Sequence, residues 1–315
     1  MTALRVGVVG VGYLGRFHAQ KLAGLDSADL IGVYDAKIET ATAVAAVVGT
    51  AAFESYAALA EKIDAVSIAA STPAHYRLAK YFLEQGVHVF VEKPITETSA
   101  QAAELVNLAD ARRLKLQVGH IERFNPALLA AREHLHDIRF VECHRLAAFK
   151  TRGADVDVVL DLMIHDLDMV LSLIQADPIK VSAMGLPVLT KTVDIANARI
   201  EFDNGAVANV TASRVSTNAQ RKFRAFQANQ YLSIDFGTGI IQRVTSDGAW
   251  EGAGDKVPLN VSEWSAEKGD ALFLELAAFV DAVSRDTDVP VPGRQGYAAL
   301  LLAENILQCI EDGKR

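Results

Sequence analysis

Residues 5–15 read Arg-Val-Gly-Val-Val-Gly-Val-Gly-Tyr-Leu-Gly, and this stretch decides the fold of the N-terminal part of the chain. The apolar run that ends at Val9 predicts a buried strand, and the pattern over residues 14–25 predicts a helix directly after it. Between them, Gly10, Gly12 and Gly15 have the spacing of a dinucleotide-binding turn. Because the motif stands in the required strand–turn–helix context, it predicts a Rossmann domain.

Each glycine of this turn has a separate expected role. Gly10 allows the tight turn, Gly12 lets a pyrophosphate approach the backbone, and Gly15 allows close packing of helix and strand. The helix N-terminus, which includes Tyr13 and Leu14, offers backbone N–H groups and a favourable dipole to the diphosphate. We therefore predict that these five residues contact the cofactor.

Asp35 is the candidate for the choice between the two nicotinamide cofactors. It follows the second predicted strand, 20 residues beyond Gly15. A carboxylate at this point accepts hydrogen bonds from ribose hydroxyls and repels a 2′-phosphate. The sequence thus favours NAD over NADP, and the nearby Lys37 keeps NADP as the alternative.

The remaining pattern predicts two domains. Strand-like apolar runs alternate with helical patterns up to residue 121, which is typical of a doubly wound parallel sheet. Beyond it, several segments alternate with period 2, and Asn204-Gly205 between two of them is a hairpin signal. We predict an α/β protein: an NAD-binding Rossmann domain over 1–121, and over 122–315 an α+β domain for substrate binding and oligomerisation, with a large, open, mostly antiparallel sheet.

Composition excludes several classes of protein. The net charge of −8 argues against a binder of nucleic acid, although a local basic pocket for one anionic metabolite remains compatible with it. We find no signal-peptide pattern and no apolar run approaching the roughly 20 residues of a membrane helix. The chain is expected to be cytoplasmic, with no membrane partner. Cys143 and Cys309 lie far apart, and no cluster has metal-ligand spacing, so we predict no metal.

Glu92-Lys93-Pro94 ends a predicted parallel strand, where functional side chains of doubly wound sheets gather. A lysine is a poor packing residue there, because burying an unpaired ammonium is expensive. It suits a cation that stabilises negative charge developing on a reacting oxygen. The alternative is a solvated turn lysine.

Ser71, Thr72 and His75 begin the helix after the third strand, at the edge of the same crevice. We predict that they contact the cofactor together with Glu92 and Lys93. For His75 the alternative is a purely structural role.

Asp161 and His165 lie four residues apart in an apolar helical segment, and hence on one face. An imidazole titrates near neutral pH, so His165 suits a base that removes a hydroxyl proton. Asp161 would orient the substrate or adjust the basicity of His165. The alternative is a core histidine satisfied by the aspartate.

Taken together, residues 10–15, Pro73-Ala74-His75, Glu92-Lys93-Pro94 and residues 161–165 resemble the Gfo/Idh/MocA oxidoreductase family in order and spacing. The resemblance implies that Lys93 is the catalytic lysine and that His165 is the base, with Asp161 beside it. It also implies homodimers or homotetramers built through the open sheet.

A narrower resemblance concerns residues 121–126 and 149–153, which look like a bacterial subgroup, the UDP-N-acetylglucosamine 3-dehydrogenases. Those enzymes oxidise the sugar C3 hydroxyl to a ketone, which is then aminated for lipid A assembly. The resemblance implies substrate contacts from Arg123, Asn125, Lys150 and Arg152, besides Lys93, Asp161 and His165. Cationic side chains suit a nucleotide diphosphate, and the alternative is that they are solvated loop charges.

We therefore expect an NAD-dependent dehydrogenase of a small-molecule sugar or nucleotide-sugar substrate. A dehydrogenase of inositol or another free polyol is the alternative within enzymes. From another class of protein, the alternative is a non-catalytic NAD-binding regulator, against which the joint presence of Lys93, Asp161 and His165 argues.

Overall fold

The structure, a computed structural model, describes residues 3–151, 153, 156–246 and 259–313. The chain divides into two compact units. The first contains Met1–Ile121 and Asp270–Leu300, and the second contains Glu122–Gly269 and Leu301–Arg315. No helix among the described residues is both long enough and apolar enough to cross a membrane.

The first unit contains a six-stranded, wholly parallel sheet in the order β3-β2-β1-β4-β5-β6. Its strands are β1 (Leu4–Val9), β2 (Ala28–Tyr34), β3 (Ala51–Ala52), β4 (Ala65–Ile68), β5 (His88–Glu92) and β6 (Leu116–Gly119). Its connecting helices are α1 (Gly15–Ala23), α2 (Ile38–Val48), α3 (Tyr56–Ala60), α4 (Thr72–Glu84) and α5 (Ser99–Arg112). The predicted doubly wound sheet is confirmed, and its strand order reverses direction between β1 and β4.

The second unit contains an eight-stranded sheet in the order β14-β13-β12-β11-β7-β10-β9-β8. Its strands are β7 (Phe140–Leu146), β8 (Pro178–Leu186), β9 (Ile195–Phe202), β10 (Val207–Ser213), β11 (Gln220–Gln227), β12 (Gln230–Asp235), β13 (Ile240–Ser246) and β14 (Leu259–Ser265). Of these pairings, β7–β10 is parallel and the others are antiparallel. The predicted mostly antiparallel sheet is confirmed.

Two helices of the second unit precede most of this sheet, α6 (Pro126–Ala131) and α7 (Ile164–Ile174). The apolar face of α7, including Leu167 and Val170, is buried in the same core as Ala198 and Ile200 of β9. The Asn204-Gly205 turn joins β9 to β10 as predicted, with Gly205 at φ +80°.

Strands β13 and β14 were not expected from the sequence. Every residue of β14 except Trp264 is exposed, so no buried face imposes an alternation of apolar and polar residues on it. An edge strand of this kind carries little of the pattern from which strands are recognised.

The closing helices, α8 (Ala271–Ser284) and α9 (Gly293–Asp312), correct the expected division of the chain. The sequence predicts that all of 122–315 forms the second domain, whereas Asp270–Leu300 belongs to the first unit. The reason is apolar burial, because Leu276 and Phe279 of α8 lie in one core cluster with Val6 and Phe90.

Candidate active site

The turn after β1 lies at the point where the strand order of the first sheet reverses. Gly10 adopts φ +84°, and its N–H donates to the carbonyl oxygen of Tyr34 at 2.8 Å. A Cβ at Gly10 would lie 2.5 Å from the Cα of Ala70, which follows β4. Only glycine allows both this conformation and this approach.

At Gly12 the turn leaves open space, and at Gly15 it packs tightly. A Cβ at Gly15 would collide with the carbonyl oxygen of Gly10, whereas a Cβ at Gly12 would meet no protein atom within 4 Å. Leu14 directly precedes α1, and the side chain of Tyr13 is 63% exposed. The open volume at Gly12, in front of a helix N-terminus, fits a dinucleotide pyrophosphate.

Asp35 directly follows β2 and is half-buried. Its Oδ1 accepts a hydrogen bond from the backbone N–H of Lys37 at 3.0 Å, which holds the carboxylate at the end of the strand. This is the position at which a carboxylate meets the adenosine ribose in such folds.

At the start of α4, Ser71 precedes the first helical residue, Thr72, and His75 is buried. The two ring nitrogens of His75 lie 2.9 Å from the carbonyl oxygen of Pro94 and 3.0 Å from that of Ala70. Burial lowers the pKa of His75, and these two carbonyl oxygens oppose the shift. His75 thus ties the end of β4 to the residue after Lys93, and its ring is engaged within the protein.

Glu92 and Lys93 stand at the carboxyl end of β5. Lys93 is half-buried, whereas Glu92 is only 9% exposed. The carboxylate of Glu92 lies 3.1 Å from Nε2 of His18, and the Nδ1 of that ring lies 2.8 Å from the hydroxyl of Ser67. The predicted cofactor residue Glu92 is therefore engaged inside the first unit.

Sequence reasoning missed His18 and Ser67. One signal was available: Gly15, Ala19 and Leu22 form the buried face of α1, and His18 falls on that face by its spacing. A histidine among small and apolar residues on a buried helix face calls for a polar partner elsewhere. The sequence does not say where.

In the second unit, Asp161 lies in a π-helical turn, Val159–Met163, that leads directly into α7, where His165 is the second residue. Both are half-buried. A turn of this kind inside a helix is frequent at functional sites. Gly153 approaches the aspartate so closely that a Cβ there would lie 3.2 Å from Asp161 Oδ2.

The predicted substrate residues of the second unit occupy contrasting environments. Arg123 donates through Nε and Nη2 to the buried carboxylate of Asp168, at 2.6 and 2.7 Å. Asn125 caps α6 through Oδ1 and donates to Glu122 through Nδ2. Lys150, in the segment after β7, is exposed. Arg152 lies outside the described residues.

A buried arginine that the sequence does not single out holds Gly153 and Val156. Arg214 donates to the carbonyl oxygens of Gly153 and Val156, both at 2.7 Å, and to Oδ1 of Asp194 at 2.8 Å. Two further bonds reach Thr192 and Val193. Arg214 thereby anchors Gly153, which lies beside Asp161.

Comparison with known proteins agrees with this architecture. Residues 4–120 match the Gfo/Idh/MocA oxidoreductase family, NAD-binding Rossmann fold, and residues 134–233 match the Gfo/Idh/MocA C-terminal domain. UDP-N-acetylglucosamine 3-dehydrogenase of Acidithiobacillus ferrooxidans is 39% identical over 314 residues, covering 99% of this chain and 98% of that protein.

Two further similarities extend over nearly the whole chain. A solved structure of the Acidithiobacillus enzyme superimposes with a TM-score of 0.92 at 37% identity, covering 99% of both chains. Inositol 2-dehydrogenase of Rhizobium meliloti is 26% identical over a match that covers 99% of this chain and 98% of that protein. The chain therefore belongs to the Gfo/Idh/MocA oxidoreductase family.

Proposed function

We propose that this protein is an NAD-dependent dehydrogenase that oxidises the C3 hydroxyl of UDP-N-acetylglucosamine to the 3-keto sugar. The observation that carries the proposal is the 39% identity to UDP-N-acetylglucosamine 3-dehydrogenase over both full lengths, compared with 26% and 31% to inositol dehydrogenases of Rhizobium and Bacillus subtilis. The retained Lys93, Asp161 and His165 support a catalytic protein over an NAD-binding regulator.

Gly10, Gly12, Gly15 and Asp35 would hold the cofactor, which supplies the hydride acceptor when bound. The Asp35 carboxylate would accept bonds from the ribose hydroxyls, and its charge favours NAD over NADP. Tyr13, Leu14, Ser71 and Thr72 would complete the contacts around the same turn.

Three side chains of this chain would carry the chemistry. Lys93 is proposed to donate from its ammonium group to the reacting hydroxyl oxygen and to stabilise the negative charge that develops there. His165 is proposed to take the hydroxyl proton. Asp161, one turn before His165, would orient the sugar or raise the basicity of the imidazole.

The diphosphate contact is best assigned to Lys150 and Arg152. Arg123 already donates two hydrogen bonds to Asp168, and both polar side-chain atoms of Asn125 form hydrogen bonds within the protein. We therefore propose that Arg123 and Asn125 shape the pocket indirectly, whereas the exposed Lys150 meets the phosphates.

We further propose that the 3-keto product feeds an amination step of lipid A precursor assembly, in the cytoplasm. We also propose a homodimer or homotetramer as the working form. The similarity to the Acidithiobacillus enzyme supports the substrate on which this placement depends. Light scattering after gel filtration measures the oligomeric state directly.

A dehydrogenase of inositol or another free polyol is the second candidate, favoured by the full-length similarity to inositol 2-dehydrogenases. It differs in its need for a nucleotide. An inositol enzyme would turn over the free polyol, whereas the proposed enzyme needs the uridine diphosphate to hold the sugar.

The test is NADH formation by the purified protein with NAD and UDP-N-acetylglucosamine, N-acetylglucosamine or myo-inositol in parallel. A 2-oxo acid is added in a second series to reoxidise NADH that stays bound. We expect turnover with the UDP-sugar alone and a loss of at least about a hundredfold in Lys93→Ala, with NAD affinity nearly intact. Turnover of inositol alone, or normal turnover in Lys93→Ala, would contradict the proposal.

A further inference from the structure

A buried Glu92–His18 pair lies next to Lys93 in the first unit. Glu92, the last residue of β5, is 9% exposed, and His18 on α1 is fully buried. The Nε2 of His18 lies 3.1 Å from Oε1 of Glu92, and Ser67 of β4 lies 2.8 Å from the other ring nitrogen. When the hydroxyl of Ser67 donates to that nitrogen, the proton of the ring lies on Nε2, which faces Glu92.

The neighbouring strand makes room for this carboxylate. A Cβ at Gly119 of β6 would lie 2.9 Å from both the carboxyl carbon and Oε1 of Glu92. A buried carboxylate is strongly destabilising unless it is paired, and an apolar residue would fill the same space without that penalty. Packing therefore does not explain why a charged residue stands at position 92.

Glu92 is held in its charged form. Burial acts to raise the pKa of Glu92, but its interactions with His18, Lys93 and His75, of which the contact with His18 is the strongest, outweigh burial and lower the pKa. These three side chains face the carboxylate from α1, from α4 and from the adjacent residue. Glu92 is accordingly a fixed anion at neutral pH.

The anion is joined to Lys93 through the backbone as well as through charge. The backbone N–H of Lys93 donates to Oε2 of Glu92 at 3.3 Å. The carboxylate therefore binds the backbone of the same residue whose ammonium group is proposed to contact the substrate. An opposite charge within about 4–6 Å favours the protonated form of a lysine.

We propose that Glu92, held by His18 and Ser67, is a positioning residue that fixes a negative charge behind Lys93 and thereby keeps the Lys93 side chain an ammonium. The proposal rests on the proposed function, in which that ammonium stabilises the substrate oxygen. Glu92 touches neither substrate nor reacting atoms in this assignment, and it acts through Lys93.

The test measures the protonation of Lys93 directly, without turnover. Acetic anhydride acylates only the unprotonated amine, so the labelling of Lys93, followed by mass spectrometry against pH, reports the midpoint of its titration. In Glu92→Gln we expect this midpoint, and the alkaline limb of the kcat/KM profile, to fall by about one pH unit, a tenfold change in reactivity.

A matched control variant tests whether the carboxylate must lie beside Lys93. Glu104→Gln removes an exposed carboxylate of the same unit, which pairs with Lys80, and should leave the midpoint in place. An unshifted Lys93 midpoint in a folded, NAD-binding Glu92→Gln protein would overturn the proposal.

The wild-type protein supplies a second test if Glu92→Gln does not fold. The labelling midpoint of Lys93 should then lie at or above that of the exposed Lys62. A midpoint clearly below it would also overturn the proposal. Absence of turnover with every sugar would contradict the proposed function but would leave the labelling result valid. Failure of the proposed function and failure of the proposed role of Glu92 are therefore distinguishable.

Discussion

Single residues at the cofactor turn illustrate two different reasons for glycine. At Gly10 the backbone conformation and the contact with Ala70 both exclude a side chain, so the reason lies within the protein. At Gly12 no protein atom lies within 4 Å of the position of a Cβ, so the reason for glycine is the space that a bound cofactor needs. Stability and cofactor affinity should therefore separate at these two positions.

Gly12→Ala should unfold at the same temperature as the wild type but lose at least about tenfold in NAD affinity, because its methyl group fills the space left for the pyrophosphate. Gly10→Ala should itself be destabilised by about 2 kcal/mol or more, since φ is positive and the backbone of Ala70 is in the way. Thermal unfolding and NAD titration of both variants check this. Equal losses of stability in the two would contradict the distinction.

At the level of elements, the buried ion pair of Arg214 and Asp194 holds Gly153 and Val156, which lie between β7 and α7. Asp194 is fully buried, and its Oδ2 accepts backbone N–H bonds from Val188, Leu189 and Thr190. Burial acts to raise the pKa of Asp194, but these three donors and Arg214 outweigh it and hold the pKa far below its usual value. Arg214 then carries the constraint to Gly153, beside Asp161.

Asp194→Asn should lose about 3 kcal/mol of stability at pH 7, since it leaves Arg214 buried without its carboxylate. The folded-state pKa of Asp194 lies below the unfolded one, so its stabilisation is present above about pH 4 and is lost as the pH falls through the folded value. The difference from wild type should therefore shrink below about pH 4. Urea unfolding from pH 7 to pH 3 measures it.

The exposed Asp177 offers a matched control for this experiment. Asp177→Asn should change the free energy of unfolding by less than about 0.5 kcal/mol at every pH. A difference between Asp194→Asn and wild type that grows at low pH would show that the sign of the argument is wrong.

On the scale of the whole molecule, the NAD-binding unit is discontinuous in sequence. Helix α8 contributes Leu272, Leu276, Phe279 and Val280 to the core built on the parallel sheet. Asp270 begins this helix by accepting from the N–H of Phe273, and it forms an ion pair with Lys21 of α1. The sheet side that α8 covers would be exposed without it.

A chain of residues 1–121 alone should therefore fail to fold cooperatively, because the apolar surface of its sheet would meet water. The same chain joined through a flexible Gly/Ser linker to 270–300 should fold and bind NAD. Circular dichroism on heating and NAD titration compare the two proteins. A cooperative transition at the same temperature in both would refute the structural role of α8.

Local rules were sufficient for much of this protein. The glycine spacing after β1, the lysine at the end of β5 and the Asn204-Gly205 hairpin each depend on a few neighbouring residues, and the backbone limits what such residues can adopt. The parallel and antiparallel sheets followed from hydrophobic period and segment length. These features are therefore predictable from the sequence without knowledge of any tertiary contact.

Tertiary structure alone decided which distant residues meet. His18 and Glu92 come from different elements, as do Arg214 and Asp194. The sequence around each of these residues does not predict which residue it will contact. The amphipathic face of α8 likewise does not state which sheet it covers. Backbone preferences act over a few residues, whereas the energy of a buried charge or an apolar face depends on whatever the fold packs against it.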